Sequence, residues 1–403
     1  MGGKKTGGMN VYIRDLAQEL GRQGIEVDVF TRRSSPDEPE IDYRIGYNVR
    51  VIYLTAGGVR ALSPDDIFPY LPEFTAKLMA FATLRNVQYD IVYSHYWLSG
   101  WVAQKLKEAW GVPFVQMFHT LGQMKQRIIS ADTLFLPDQR VHTEMDIAQW
   151  ADRVVAATPA EHAQLMWLYR AKRRKIEIVP PGVDVQRFKP VVSRTKANIR
   201  ARLGFDKRHL LLFVGRIEPL KGIDTILQAM ALLRENAPGM LQETQFALVG
   251  GDPRAKGDPE MERIQQMVVD FDLSENVTFL GAKDQSQLPE YYNASTAVIM
   301  PSDYESFGMV ALEAMASGVP VIASAVGGLA FLVRDGETGY HVPVREPKAL
   351  AARICCLLDS EERREHMGRM ASHVANDYAW SNIAARLIDI FGNILSSRTK
   401  QVV

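Results

Sequence analysis

Residues 210–222 read LLLFVGRIEPLKG, a run of large apolar side chains closed by Gly215 and followed by a loop that carries the cations Arg216 and Lys221. An unbroken apolar run of this length, bounded by glycine, suits a strand buried on both faces. Such strands belong to parallel sheets covered by helices. A cover follows at once, in the amphipathic stretch Asp224 to Arg234. The alternation continues through strands at Gln245 to Val249, Val277 to Leu280, Ala297 to Met300 and Val319 to Ala323. Upstream it is present at Ile25 to Phe30, Val49 to Leu54, Asp90 to Ser94, Pro113 to Phe118, Arg153 to Ala157 and Ile176 to Val179. Between the two series, Pro180-Pro181-Gly182 opens a stiff linker that ends near Pro190. The expected class is α/β, with two Rossmann-like domains facing across a cleft at residues 1–185 and 186–378. The segment 379–403 is expected to be a long amphipathic helix free to pack back on the first domain.

The bulk of the sequence agrees. At 403 residues the chain exceeds what one hydrophobic core serves, which argues for two domains. Lys+Arg and Asp+Glu are both 47, so no global field draws the chain to nucleic acid or to a membrane, and any anion site must be local. Cys355 and Cys356 are adjacent and poorly placed to bridge one another, so they read as small core side chains. Neither a signal peptide nor a membrane-spanning run is present, and a cytoplasmic protein is expected. The start is unusual. Gly3-Lys4-Lys5-Thr6-Gly7-Gly8 reads as the loop that opens a helix from Asn10 to Arg22. In an α/β domain such a loop follows a strand, and no residues precede it to make one. A chain cut at its first strand, with a less stable N-terminal domain, is the expectation.

In open parallel sheets ligands bind beyond the carboxyl ends of the strands, so the loops there should carry the chemistry. Arg216 can fork onto phosphate oxygens, Lys221 supplies a point charge, and the next helix offers free N–H groups. The stretch Pro301-Ser302-Asp303-Tyr304-Glu305-Ser306-Phe307-Gly308 leads into a helix that contains Glu313. If the whole interval is helical, Glu305 and Glu313 are separated by about 12 Å of rise. Two carboxylates so spaced suit opposite ends of an extended ligand, with ribose at Glu313, a sugar at Glu305 and a diphosphate at the helix N-terminus between them. Gly250-Gly251 and Gly327-Gly328, each after a strand, let backbone approach a ligand. Neither a P-loop nor a dinucleotide fingerprint occurs. Asp270-Phe271-Asp272 falls on the wrong side of the sheet for a ligand and reads as a solvated turn.

With these residues in place, the chain resembles the retaining glycosyltransferases of family 4 (group 1), which have the GT-B fold. The resemblance rests on Gly7-Gly8-Met9-Asn10-Val11-Tyr12, Ser94-His95-Tyr96-Trp97, His119-Thr120-Leu121, Pro181-Gly182-Val183-Asp184, Gly215-Arg216 with Lys221, and the pair Glu305 and Glu313. Within the family it is most similar to the branch of the mycothiol glycosyltransferases and sucrose-phosphate synthases. The resemblance implies transfer of a hexosyl unit from a nucleotide diphosphate sugar, UDP-glucose or UDP-N-acetylglucosamine, to a hydroxyl of a small polyol, sugar or sugar phosphate. It implies catalytic roles for His119, Arg216, Lys221 and Glu305. Donor contacts are implied at Gly8, Gly251, Ser306, Phe307, Gly308 and Glu313, and acceptor contacts at Asn10, Tyr96, Thr120 and Arg140. No metal or cofactor is implied. Where the relatives carry a lysine on the acceptor side this chain has Pro64, so Lys77, Lys125 or Arg127 would have to substitute, or the acceptor carries no phosphate. The basic cluster Arg170, Lys172, Arg173, Arg174 and Lys175 reads as a solvated turn, with contact to an anionic membrane as its alternative, and a homodimer is left open. Two other functions compete: a sugar-nucleotide epimerase of the same shape, and an impaired module that only binds the donor.

Overall fold

The computed structural model describes residues 7–124, 139–255 and 257–399. The chain divides into two compact units, Gly7–Gly182 together with the last helix, and Val183–Ala379.

In the first unit, β1 (Val27–Arg32) pairs in parallel with β3 (Val49–Leu54), and β2 (Ile41–Gly46) adds antiparallel to β3, giving a sheet of order β1-β3-β2. The strand β2 was not anticipated, because Ile41-Asp42-Tyr43-Arg44 is half polar. It forms as the outer arm of a hairpin whose turn residue Asn48 takes φ 56°, a conformation that asparagine tolerates better than most residues. A second sheet is wholly parallel, β4 (Val92–His95), β5 (Phe114–Met117), β6 (Arg153–Ala156) and β7 (Ile176–Ile178), in that order. The helix Gly8–Arg22 buries Tyr12, Leu16, Ala17 and Leu20 as one stripe.

The last helix, Trp380–Thr399, belongs to this unit. Its buried residues Ile383, Ala384, Leu387, Phe391 and Ile394 lie on one helical face. Trp380 packs edge-on to Tyr12 with ring centres 5.2 Å apart, and its ring fills the space a Cβ on Gly182 would need. Arg386 and Arg398 donate to the carbonyls of Ile178 and Gly111, each at 2.6 Å.

The second unit is one six-stranded parallel sheet of β8 (His209–Val214), β9 (Thr244–Val249), β10 (Val277–Gly281), β11 (Ala297–Met300), β12 (Val321–Ser324) and β13 (Gly339–Val342). Its order is β10-β9-β8-β11-β12-β13. Every residue of β8, β11 and β12 is buried, as their apolar composition requires. The edge strand β13 escaped the sequence reading because Gly339-Tyr340-His341-Val342 is short and mixed. Strand order reverses between β8 and β11, so loops leaving these two neighbours diverge above the sheet and open a crevice.

The loops are seated by close backbone contacts. At Gly250, φ is 147° and a Cβ would lie 1.8 Å from the carbonyl oxygen of Gly215. At Gly222, φ is 67° and a Cβ would lie 2.2 Å from the carbonyl oxygen of Pro301. Gly250→Ala should therefore cost about 3 kcal/mol or more, through left-handed strain and a clash with rigid backbone. Denaturant unfolding monitored in the second unit checks this; an unchanged midpoint would contradict the contact.

Candidate active site

In the second unit the switch point is occupied by the loops after β8 and β11. They are joined by Asp303 N–H donating to Leu220 O at 2.9 Å, and by an ion pair between Lys221 Nζ and Glu305 Oε2 at 2.7 Å. Both side chains are largely buried, at 20% and 16% exposure, so the pair is held rather than solvated. The ammonium has three donors, which leaves it able to bind a further anion while it holds Glu305. Arg216 stands apart, 70% exposed and paired with Glu218 at 2.6 Å. The two cations read together in the sequence are thus differently placed, Lys221 held against Glu305 and Arg216 exposed beside Glu218.

Glu313 lies in the helix Met309–Ala316, 5% exposed, where Tyr292 Oη donates to one carboxylate oxygen at 2.7 Å and Gln285 Nε2 to the other at 3.3 Å. The expected helical spacing between Glu305 and Glu313 is not found. The helix begins only at Met309, and Gly308 caps it at φ 103°, so helical rise does not describe the interval from Glu305. Ser306 is half-buried and Phe307 is 5% exposed, the latter against Tyr378. Gly251 and the Gly327-Gly328 pair are also closer to protein than expected. A Cβ on Gly251 would meet Met261 at 2.6 Å, and one on Gly328 would meet the Cα of Phe307 at 2.2 Å. Their absent side chains let loops pack on loops. Asp270-Phe271-Asp272 ends a helix, with Asp272 at φ 51° and paired to Arg234, as a surface turn should.

In the first unit His119, just past β5, adopts φ 61°, and Tyr96, just past β4, adopts φ 75°. Neighbouring strand ends therefore both carry left-handed non-glycine residues, a strain that persists only where the surroundings fix it. His95 Nδ1 and His119 Nε2 are 3.0 Å apart, so one ring must donate to the other. Tyr12 packs edge-on to both, at 5.5 and 5.1 Å, and hydrogen-bonds Tyr93 through its hydroxyl at 3.0 Å. Burial lowers the pKa of His119 to about 3, and burial followed by the facing His119 holds His95 well below the usual range. Both rings are neutral at pH 7 and can serve as hydrogen-bond groups only.

Beside them Arg140 draws three elements together. Its Nη2 donates to Thr120 O at 2.9 Å and Thr120 Oγ1 at 3.1 Å, its guanidinium stands 4.9 Å from the centre of the Tyr96 ring, and its Nε donates to Glu144 at 2.7 Å. Glu144 is fully buried and also accepts from Gly122 N–H at 2.9 Å and Tyr169 Oη at 2.7 Å. Three of the four expected acceptor residues thus meet. The fourth, Asn10, lies exposed with Gly8 on the first turn of its helix, with no described contact to the other three. Pro64 is the first residue of a short helix, and Lys77 is committed to Glu73 and Thr55 O, each at 2.7 Å. Lys125 and Arg127 lie outside the described residues. Within the basic cluster, Lys175 closes a helix end by donating to the carbonyls of Gln149 and Ala151. No helix among the described residues is long and apolar enough to cross a membrane.

Two family models divide the chain between them: that described as Glycosyltransferase Family 4 matches residues 6–187, and that described as Glycosyl transferases group 1 matches residues 195–374. The D-inositol 3-phosphate glycosyltransferase of Kineococcus radiotolerans is 38% identical over 98% of this chain and 92% of its own length. The enzyme of the same name from Acidothermus cellulolyticus is also 38% identical, over 98% and 87%. The structure of sucrose-phosphate synthase from Thermosynechococcus elongatus superposes with a TM-score of 0.86 at 33% identity, covering 97% of this chain and 94% of that one.

The chain belongs to the group 1 glycosyltransferases.

As a member of that GT-B family it transfers a sugar from a nucleotide sugar to an acceptor. Several partners of the expected residues were not singled out in the sequence. Glu144 had a signal, since it stands four residues after Arg140 in the helix Gln139–Trp150. His95 ends a strand as His119 does. Tyr292 and Gln285 had none, because their meeting with Glu313 is made by the packing of separate segments.

The histidine pair sets a pH signature. In the unfolded chain each imidazole takes up a proton near pH 6.5, whereas in the folded unit His119 does so only at about 3. The pair's stability is complete above pH 6.5 and is lost as pH falls towards 3, at up to about 1.4 kcal/mol per pH unit for each ring. Buried Glu161, raised to about 7, acts in the opposite sense between pH 7 and the ordinary carboxylate range. The pair's share is therefore the difference between the parent and a double His95→Gln, His119→Gln variant: the variant's thermal midpoint should fall less between pH 6.5 and 4. Parallel curves would refute it.

Proposed function

We propose that the protein is a retaining, metal-independent hexosyltransferase that moves glucose or N-acetylglucosamine from its UDP derivative to a hydroxyl of a small phosphorylated polyol or sugar. The observation that carries this reading is the Lys221–Glu305 pair seated at the switch point of the second unit's sheet. Breaking the glycosidic bond leaves negative charge on the departing diphosphate. A preplaced ammonium, backed by Arg216 and the N–H groups opening the helix Met309–Ala316, stabilises that charge without reorganisation. Glu305 accepts hydroxyl hydrogen bonds from the transferred sugar, and its hold on Lys221 fixes the cation between sugar and phosphate. Glu313, already oriented by Tyr292 and Gln285, uses its remaining lone pairs for the ribose. Neutral His119, steered by His95, is a hydrogen-bond partner for the sugar and not a proton source. Retention follows if a donor phosphate oxygen takes the acceptor's proton on the same face as the departing group, which needs no carboxylate nucleophile.

The acceptor reading rests on Arg140 with Thr120 and Tyr96, a cation held beside a hydroxyl and a phenol. The names of the relatives agree with it, since inositol 3-phosphate and sucrose phosphate are both phosphorylated hydroxyl compounds. Pro64 removes a charge on this side, so the site leans on Arg140.

Four outcomes test the reading. Lys221→Ala should lower kcat/KM for UDP release by about 100-fold, equivalent to about 3 kcal/mol; unchanged turnover would sink the donor assignment. Phosphorylated inositol or hexose should be preferred over its dephosphorylated form by at least about tenfold, and equal kcat/KM for both would remove the phosphate. Product anomers read by NMR should keep the donor's configuration, and activity should survive exhaustive chelation.

A further inference from the structure

Glu144 lies on the buried face of the helix Gln139–Trp150 with none of its side chain exposed. Burial pushes its carboxyl above the ordinary range, and Arg140, the Gly122 amide and Tyr169 pull it back. Three donors converge on it: Arg140 Nε on one oxygen at 2.7 Å, and Gly122 N–H at 2.9 Å and Tyr169 Oη at 2.7 Å on the other. Tyr169 is fully buried as well, and its hydroxyl accepts from Gln123 N–H at 2.9 Å. Gln123 Nε2 in turn donates to Leu168 O at 3.2 Å. One carboxylate thus holds a guanidinium on one side and, on the other, the segment that runs on from His119 and Thr120.

A buried ion pair is a poor device for stability, because desolvation offsets its attraction and apolar side chains would fill the same space. What this one supplies is direction. With Nε on Glu144, Nη2 on Thr120 and the plane beside the Tyr96 ring, the guanidinium has one orientation. Among the described residues nothing accepts from its Nη1. Arginine binds phosphate through paired N–H groups in a fixed fork, so where the free end faces decides whether it can. Gly122 is part of the same arrangement. Its backbone is not left-handed, so the glycine answers to space alone: a Cβ would lie 3.1 Å from Glu144 Oε2 and 3.2 Å from Arg140 Nε, and would press on both partners.

We propose that Glu144, with Tyr169 behind it, is a positioning residue that holds Arg140 in the orientation that meets the acceptor's phosphate, and so sets selectivity for phosphorylated over unphosphorylated hydroxyl compounds. This role rests on the phosphorylated acceptor proposed above, and neither Glu144 nor Tyr169 touches substrate. Pro64 sharpens it: with a cation missing on that side, selectivity falls on a single guanidinium, whose orientation then decides more. The carboxylate also has a cost, since its negative charge weakens the pull of Arg140 on a phosphate. Orientation and charge therefore predict opposite results when Glu144 is neutralised.

The test takes Glu144→Gln, Tyr169→Phe and Gly122→Ala and measures rates with a phosphorylated inositol or hexose and with its dephosphorylated form, at saturating UDP-glucose or UDP-N-acetylglucosamine. The KM for the phosphorylated acceptor should rise about tenfold in Glu144→Gln and about threefold or more in the other two. The preference for phosphate should fall by the same factor while the donor's KM holds. In an Arg140→Ala background the three substitutions should leave that preference where Arg140→Ala alone puts it. Glu144→Gln leaves a buried guanidinium unpaired and can fail to accumulate; Tyr169→Phe and Gly122→Ala keep every charge and then decide. A loosened fold would slow both acceptors alike, and an unchanged preference in folded variants overturns the proposal. So does a lower KM for the phosphorylated acceptor in Glu144→Gln, since the carboxylate would then act only as a competing charge. A parent that itself shows no preference for phosphate sinks the acceptor reading and this role together, whereas a preference kept by parent and variants sinks this role alone.

Discussion

The loops above the six-stranded sheet can carry chemistry because they touch one another through backbone with no side chain between. At Gly250 against Gly215, and at Gly222 against Pro301, the gap left for a Cβ is less than the length of an ordinary contact. Three loops are thereby clamped at fixed spacing over the point where strand order reverses. Asp303 N–H on Leu220 O then ties the β8 and β11 loops, and the salt bridge from Lys221 to Glu305 forms as a consequence of that seating. An ion pair of two flexible side chains in open solvent would contribute little. Here its value lies in position, because the cation is held at the switch point of the sheet, where the proposed reaction develops its leaving-group charge.

The other unit solves a different problem. Its polar groups are buried, and burial penalises charge, so His95 and His119 are held neutral and bonded to each other, while Tyr12 and Tyr93 share a hydrogen bond beneath them. Arg140 stays charged in the same unit because Glu144, which also accepts from Gly122 N–H and Tyr169 Oη, answers it, with the Tyr96 ring beside the guanidinium. The left-handed backbone at Tyr96 and His119 is the cost of turning both side chains back over the strand ends. The open edges of β1 and β4 show that this unit's sheet is not closed by the described residues.

How much of this could be read from the chain depended on whether the deciding forces were local. Buried parallel strands announce themselves as apolar runs, so β3, β8, β9 and β11 were legible to within a residue, as was the segregation of cations and carboxylates onto loops after strands. The edge strands β2 and β13 were not, because an edge needs only one partner and tolerates polar, mixed sequence. Glu305 and Lys221 were each legible as charged residues on loops that follow strands. Their mutual ion pair was not, nor was Arg216's exposure, since 84 residues separate the first two and only loop packing brings them together.

By itself the sequence determined the α/β class, the repeat of the pattern in both halves and the identities of the residues on the loops, because periodicity and turn chemistry are properties of neighbours in the chain. Tertiary structure alone decided which unit the last helix joins, through Trp380 on Gly182 and Arg386 on Ile178. It also decided that Tyr292 and Gln285 meet Glu313, that His95 meets His119, and that a cavity lies between β1 and β4. Each of these is a meeting of segments distant in sequence. Burial and backbone pairing fix such meetings only once the sheets have assembled.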